Sequence, residues 1–241
     1  MPMEKIKGIL FDLGWTLESP ASRSWVFTRR FYEYVPRARF EAMDPNVIRA
    51  AEAKAHKPLS EHHYTETLEE ENQKFIGFYS SLNKTLSLGL GEEAIEDIAY
   101  DHTYNFANYV LFPDTLSTLK TLKEHGYRIG VLSDTWPSTV PQQKEAGAYK
   151  YYDCLTLSFE LGVLKPDPRM YEDALAKMKL KPEEILYVDD LEKSLDKAAS
   201  YGIVCVRSAC EHPDLLEGRY PAVTSPGGVI ELLKDRNGGV L

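Results

Sequence analysis

Cysteine is scarce in this chain. The three present, Cys154, Cys205 and Cys210, cannot all pair and none has metal-ligand spacing, which argues against a disulfide scaffold or a zinc site. Basic charge is short as well, with 28 Lys and Arg against 37 Asp and Glu, a net charge of −9. Duplex binding depends on phosphate neutralisation by Lys and Arg, so this balance works against a nucleic-acid partner. It leaves room for a local basic pocket that takes a small anion. No window approaches the ~18 consecutive apolar residues of a membrane span. The opening stretch MPMEKIKGILFDLG holds no apolar segment of signal-peptide length. The expectation is a soluble cytoplasmic protein with no membrane partner; its oligomeric state is not legible from the sequence.

What the chain does have is a globular mix, 43% hydrophobic and 27% charged over 241 residues, enough for one large domain or a core carrying a smaller one. Short apolar runs recur and each stops at a polar residue. Ile6–Phe11 stops at Asp12, Tyr127–Leu132 at Ser133, and Ile185–Val188 at Asp189. Such runs read as strands buried on both faces. Cys154–Leu157 and Ile203–Val206 are weaker candidates. Helical patterns lie between them: Asp114–Glu124 closing at Gly126, Pro168–Met178 behind the N-cap residue Asp167, and Leu195–Tyr201 closing at Gly202. Alternation of this kind predicts a doubly wound parallel α/β sheet.

Residues 19–110 break the alternation. Four amphipathic stretches, Ser24–Val35, Pro45–His56, Tyr64–Leu86 and Glu92–Asn108, predict a helical module inserted after the first strand. The expected division is a core of residues 1–18 and 111–241 around a helical insert of 19–110. Aromatic residues of the insert (Trp25, Phe27, Phe31, Tyr32, Tyr34, Phe75, Phe78 and Tyr79) either fill its core or line a substrate pocket. The tail after Ser225 reads as one short helix and a frayed end.

Ligands of an open parallel sheet bind beyond the carboxyl ends of its strands. Four features should meet there: Asp12 in ILFDLGWTL, Ser133 in IGVLSDTWPS, Lys165 in LGVLKPDP, and Asp189-Asp190 in ILYVDDLEKS. Together they suit phosphoryl transfer. A carboxylate at position 12 can attack phosphorus and form an aspartyl-phosphate. Clustered carboxylates repel a phosphate dianion unless a cation intervenes, and Asp12, Asp189 and Asp190 offer hard oxygen ligands for Mg²⁺. Lys165 adds positive charge, and the Ser133 hydroxyl with nearby backbone N–H groups donates hydrogen bonds. The expected phosphate-binding set is Ser133, Asp134 and Lys165.

These four motifs resemble those of the haloacid dehalogenase superfamily, and the insert resembles the helical cap that subfamily I carries after its first motif. The resemblance covers essentially the whole chain. It implies a Rossmann-like core with a helical cap domain, with Asp12 as nucleophile and Ser133 and Lys165 as phosphate ligands. It implies Mg²⁺ held by Asp12, the Gly14 carbonyl and Asp189, with Asp190 supporting the metal or Lys165. The expected activity is a Mg²⁺-dependent phosphohydrolase acting on a small phosphorylated metabolite.

One position departs from the family. Phosphatases of this kind usually carry a second Asp two residues after the nucleophile as general acid and base, and here that position is Gly14. Its loss costs on the order of 10²–10⁴ in rate for a poor leaving group. Three consequences are open: chemistry confined to good leaving groups, a proton supplied by His62 or His63 of the insert, or a weakly catalytic protein that binds phospholigands. The family's metal-free 2-haloacid dehalogenases also lack the second Asp. They typically carry Tyr at the position of Gly14 and resemble V-S-S-N where this chain has Val188-Asp189-Asp190.

Overall fold

The computed structural model describes residues 5–211 and 217–236. In chain order it comprises β1 (Gly8–Phe11), β2 (Glu18–Pro20), α1 (Arg29–Tyr34), α2 (Arg37–Glu41), α3 (Pro45–Glu61), α4 (Leu68–Leu86) and α5 (Glu92–Tyr104). There follow β3 (Tyr109–Leu111), α6 (Thr115–Glu124), β4 (Arg128–Ser133), α7 (Thr139–Glu145), β5 (Cys154–Leu157), α8 (Ser158–Leu161) and α9 (Pro168–Met178). The chain closes with β6 (Ile185–Asp189), α10 (Glu192–Ser200), β7 (Val204–Ser208), β8 (Ala222–Val223) and α11 (Gly228–Arg236).

Six strands form a parallel sheet in the order β5-β4-β1-β6-β7-β8. β1 is central and wholly buried, which is why its run is apolar without alternation. Alternate side chains serve opposite faces. Ile9, Phe11, Ile129, Val131 and Val188 pack with Leu119, Leu122 and Leu233 of α6 and α11. Leu10, Leu132 and Tyr187 pack with Met170, Met178 and Leu195 of α9 and α10. Gly130 makes the second face possible: a Cβ there would stand 2.8 Å from Met178 Sδ and 2.7 Å from Leu10 Cδ2. Pro168 opens α9, and the Asp167 carboxylate accepts the Arg169 N–H, a cap that satisfies an otherwise orphaned donor.

The sheet reverses its winding around β1, and that defines where the site lies. Phe11 pairs with Val131 on one side and Val188 on the other. Asp12, Ser133 and Asp189 therefore emerge at the same edge, at the switch point of the sheet.

Helices α1–α5 build a separate apolar cluster from Phe27, Phe31, Phe75, Phe78, Tyr79 and Ile98. Several details differ from the sequence expectation: α1 begins at Arg29 rather than Ser24, α2 is not among the expected helices, and α4 begins at Leu68 rather than Tyr64. α3 runs through Pro58 to Glu61 rather than stopping at His56; burial of Leu59 offsets the hydrogen bond that the proline cannot donate. The segment is also not wholly helical at its margins, because β2 and β3 pair antiparallel, with Ser19 opposite Val110. These strands have three residues each, too few for a period-two pattern to register. The tail forms α11 as expected, and its final residues, 237–241, lie outside the described ones. All three cysteines are free. Among the described residues no helix is long and apolar enough to cross a membrane.

Candidate active site

Asp12 follows β1, and its backbone N–H donates to the Val188 carbonyl at 2.9 Å. Lys165 reaches it from the loop before α9. The Lys165 Nζ lies 3.0 Å from Asp12 Oδ1 and 2.7 Å from Asp189 Oδ2, and all three residues are buried. The Asp134 carboxylate fixes this loop by accepting the Lys165 backbone N–H at 2.8 Å. Asp189 is saturated by the protein: Oδ1 accepts the Leu191 N–H at 2.7 Å, while Oδ2 accepts Lys165 and the Tyr187 hydroxyl. Carboxylate oxygens of Asp12, Asp189 and Asp190 lie within 4.8 Å of one another.

Charge in this cluster is unbalanced. Burial, together with the Asp189 and Asp190 carboxylates, pushes the Asp12 carboxyl up to about 8 against the pull of Lys165. Burial alone would lower the Lys165 ammonium, but the facing Asp12, Asp189 and Asp134 carboxylates hold its pKa well above the ordinary value. Among the described groups, one ammonium faces three clustered carboxylates. Hard oxygen donors so arranged fit a divalent cation such as Mg²⁺, which takes one or two carboxylates and keeps several waters.

Above the cluster opens a cavity of about 380 Å³. Asp12, Gly14, Ser133, Asp134, Lys165 and Asp190 line it on the sheet side; Asp189 does not. Much of the remaining wall is aromatic. Trp15 meets Trp25 edge-on at 5.4 Å between centroids, Trp25 stacks on Tyr109 at 5.8 Å, and Phe75 packs against His102 at 3.7 Å and Trp136 at 5.4 Å. Trp15 itself takes the left-handed backbone conformation, φ 55°, in the tight turn where Thr16, Leu17 and Glu18 all donate to the Leu13 carbonyl. A Cβ on Gly14 would stand 2.9 Å from Trp25 Cζ2, closer than side-chain carbons approach. The indole occupies the space that a side chain at position 14 would enter.

The lining residues not legible in the sequence include Glu18, His102 and His56. Glu18 is buried, and its Oε2 accepts side-chain N–H groups of Gln142 and, at 2.8 Å, Gln143. Burial pushes its carboxyl up to about 7 against these donors. His102, whose Nε2 lies 3.1 Å from the Trp25 carbonyl, is pushed down to about 4 by burial. Burial lowers His56 too.

The expected histidines are elsewhere. His62 is exposed at the end of α3. His63 is buried with Nε2 2.7 Å from Ser158 Oγ, facing a second cavity rather than the one above Asp12. Packing of Trp136 against the His63 ring turns it away. Of the insert's aromatics, Trp25 and Phe75 reach the cavity, while Phe27, Phe31, Phe78 and Tyr79 fill the insert's core and Tyr34 is exposed.

Comparison with known proteins places this architecture among the hydrolases. A family model described as haloacid dehalogenase-like hydrolase matches residues 6–196, and the chain belongs to that family. Among curated relatives, the glyceraldehyde 3-phosphate phosphatase of Methanopyrus kandleri is 29% identical over 215 residues, 84% of this chain and 83% of the relative. The protein of the same name from Methanothermobacter thermautotrophicus is 30% identical over 191 residues, 76% of each. Among solved structures, the L-2-haloacid dehalogenase from Xanthobacter autotrophicus superposes with a TM-score of 0.67 at 20% identity, over 95% of this chain and 98% of that one. That likeness concerns the fold.

Proposed function

We propose that this chain is a phosphatase acting on a small phosphorylated metabolite through an aspartyl-phosphate, with residues 19–110 as a cap over the core. The observation that carries this reading is Asp12, held by Lys165 at 3.0 Å on the floor of the cavity, with Asp190 beside it. An Asp12 oxygen attacks phosphorus, and the bond from phosphorus to the leaving oxygen breaks. Water then attacks the acyl phosphate, releasing inorganic phosphate and restoring the carboxylate. Lys165, the Ser133 hydroxyl and backbone N–H groups at Asp134 stabilise the equatorial oxygens.

Asp12, the Gly14 carbonyl and Asp190 would hold Mg²⁺. Asp189, which does not line the cavity, orients Lys165 instead. When bound, the metal supplies the positive charge that lets a dianionic phosphate approach these carboxylates. Curated relatives named as phosphatases support the reading. The retained Asp189–Asp190 pair weighs against metal-free dehalogenation, since it is electrostatically awkward without a cation. The test is phosphate release over a metabolite panel, with Mg²⁺ and with EDTA, beside chloride release from 2-chloropropionate. Phosphate release that stops in EDTA is expected. Chloride release that survives EDTA would overturn the assignment.

A further inference from the structure

The curated relatives are named for a polar triose phosphate, whereas the cavity of this chain is lined largely by aromatic rings. Among the described lining residues, Lys165 is the one Lys or Arg, and it is committed to Asp12 and Asp189. Burial lowers the pKa of His56 and takes that of His102 down to about 4. Among the described lining residues there is thus no second Lys or Arg for another anion, while Asp12, Asp134 and Asp190 line the space. A substrate carrying a carboxylate or a second phosphate meets repulsion there.

Much of the polar lining is also paired within itself, His102 Nδ1 being an exception. Gln142 donates to Glu18, the Ser138 hydroxyl donates to Glu71 at 2.7 Å, and the Thr135 and Thr139 hydroxyls hydrogen-bond each other. These groups are spoken for before a sugar-like chain of hydroxyls arrives. What faces the remaining volume is a run of rings: Trp15, Trp25, Tyr109, His102, Phe75 and Trp136. Ring faces and edges reward a flat apolar group placed against them.

A second, independent observation concerns the leaving oxygen. Trp25 fills the approach to position 14, so no carboxylate can protonate the departing group from there. Chemistry without that proton favours an oxygen that leaves as a stable anion.

Building on the phosphatase reading, we propose that the site takes monophosphates of flat, uncharged aromatic alcohols, with the leaving ring against Trp25 and Phe75. The class is aryl phosphate. Asp12 takes the phosphoryl group, and the phenolate leaves with the P–O bonding pair, collecting its proton from water. A cavity of about 380 Å³ accommodates the phosphoryl group with one or two fused rings.

The experiment uses the full chain with Mg²⁺ and compares 1-naphthyl phosphate, benzyl phosphate and glyceraldehyde 3-phosphate. Benzyl phosphate separates recognition from leaving-group chemistry, because it carries the ring on an alkyl oxygen. Both ring-bearing esters should show a KM about tenfold or more below that of the triose phosphate, while only 1-naphthyl phosphate combines it with a high kcat. Trp25→Ala should raise KM for the ring-bearing esters about three- to tenfold, a larger factor than for the triose phosphate. Trp136→Leu serves the same purpose should Trp25→Ala fail to fold. Calorimetric binding of 1-naphthyl phosphate to Asp12→Asn gives a readout apart from turnover. A higher kcat/KM for glyceraldehyde 3-phosphate, or a ring preference indifferent to both tryptophan variants, overturns the inference and leaves the phosphatase reading standing. Hydrolysis of none of the three, with no binding, removes both.

Discussion

The indole of Trp25 stands where a side chain on Gly14 would begin, 2.9 Å from the position of the missing Cβ. The backbone at Gly14 is not in the left-handed region, so the obstacle to a larger residue is the ring and not the main chain. Gly14→Asp should therefore fail to restore general acid catalysis by itself. Overpacking costs about 1–3 kcal/mol, a fall in Tm of roughly 2–12 °C for a chain of this size. Hydrolysis of alkyl phosphates should improve only when Trp25→Ala is added. Thermal denaturation and steady-state rates for the single and double variants check this, and a single variant that is both stable and faster contradicts it.

Asp12→Asn should reduce phosphate release by about 10³-fold or more, since no other group on the cavity floor replaces the nucleophile. Native enzyme quenched with denaturant during turnover of a substrate labelled in its phosphoryl group should carry label on the wild-type chain and none on the variant. Equal labelling would place the nucleophile elsewhere.

Lys165→Ala should lose stability as well as activity. The ammonium is buried between Asp12 and Asp189, and removing one partner of a buried ion pair costs about 3–5 kcal/mol. Loss of a donor aimed at the phosphoryl group lowers kcat/KM by about 10²–10³-fold. Added Mg²⁺ should raise the Tm of the variant by more than that of the wild type, because it faces the same carboxylates. A variant with unchanged Tm would show that the carboxylates do not depend on the lysine.

Glu18 supplies a pH signature. Its folded pKa of about 7 lies above the ordinary 4.5, so the native state holds a proton that the unfolded state releases. Stability from this group is full below about pH 4.5 and declines as pH rises to about 7. Glu18→Gln keeps an acceptor for Gln142 and Gln143 without the charge. Its Tm relative to wild type should climb by several degrees between pH 5 and pH 8. A flat difference across that range would mean that Glu18 ionises normally.

Mg²⁺ itself should stabilise the wild type. At 100 times its Kd a ligand adds about 2.7 kcal/mol, or roughly 5–10 °C in Tm, and Asp190→Asn should abolish most of that gain. Retention of the full shift in Asp190→Asn would assign the cation to other oxygens.

The strands that carry chemistry were readable because each is buried on both faces and ends abruptly at a polar residue. Asp12, Ser133 and Asp189 mark the ends of β1, β4 and β6 to within a residue, and α9 begins and ends where Pro168 and Met178 suggested. Local signals of this kind survive in a single sequence. Most of the cavity wall does not, because Glu18, His56 and His102 come from separate elements and meet only through packing. His63 shows the same limit from the other side: its neighbour Ser158 is 95 positions away, and nothing near residue 63 announces it. The partners of Asp189 were equally hidden, since its ion pair with Lys165 spans 24 positions.

The pairing of β2 with β3 has a consequence for how such a chain can change over generations. The excursion through α1–α5 departs and returns through two antiparallel strands, with Glu18 opposite Leu111 and Pro20 opposite Tyr109. Whatever is strung between those strands, the ladder holds the two crossings at a fixed separation, and β1 keeps its register with β4 and β6. The excursion can thus be lengthened, shortened or exchanged as a cassette without resetting the central sheet. Two lining residues, Glu18 and Tyr109, belong to the ladder itself, so an exchange would renew the far wall of the cavity and inherit the near one.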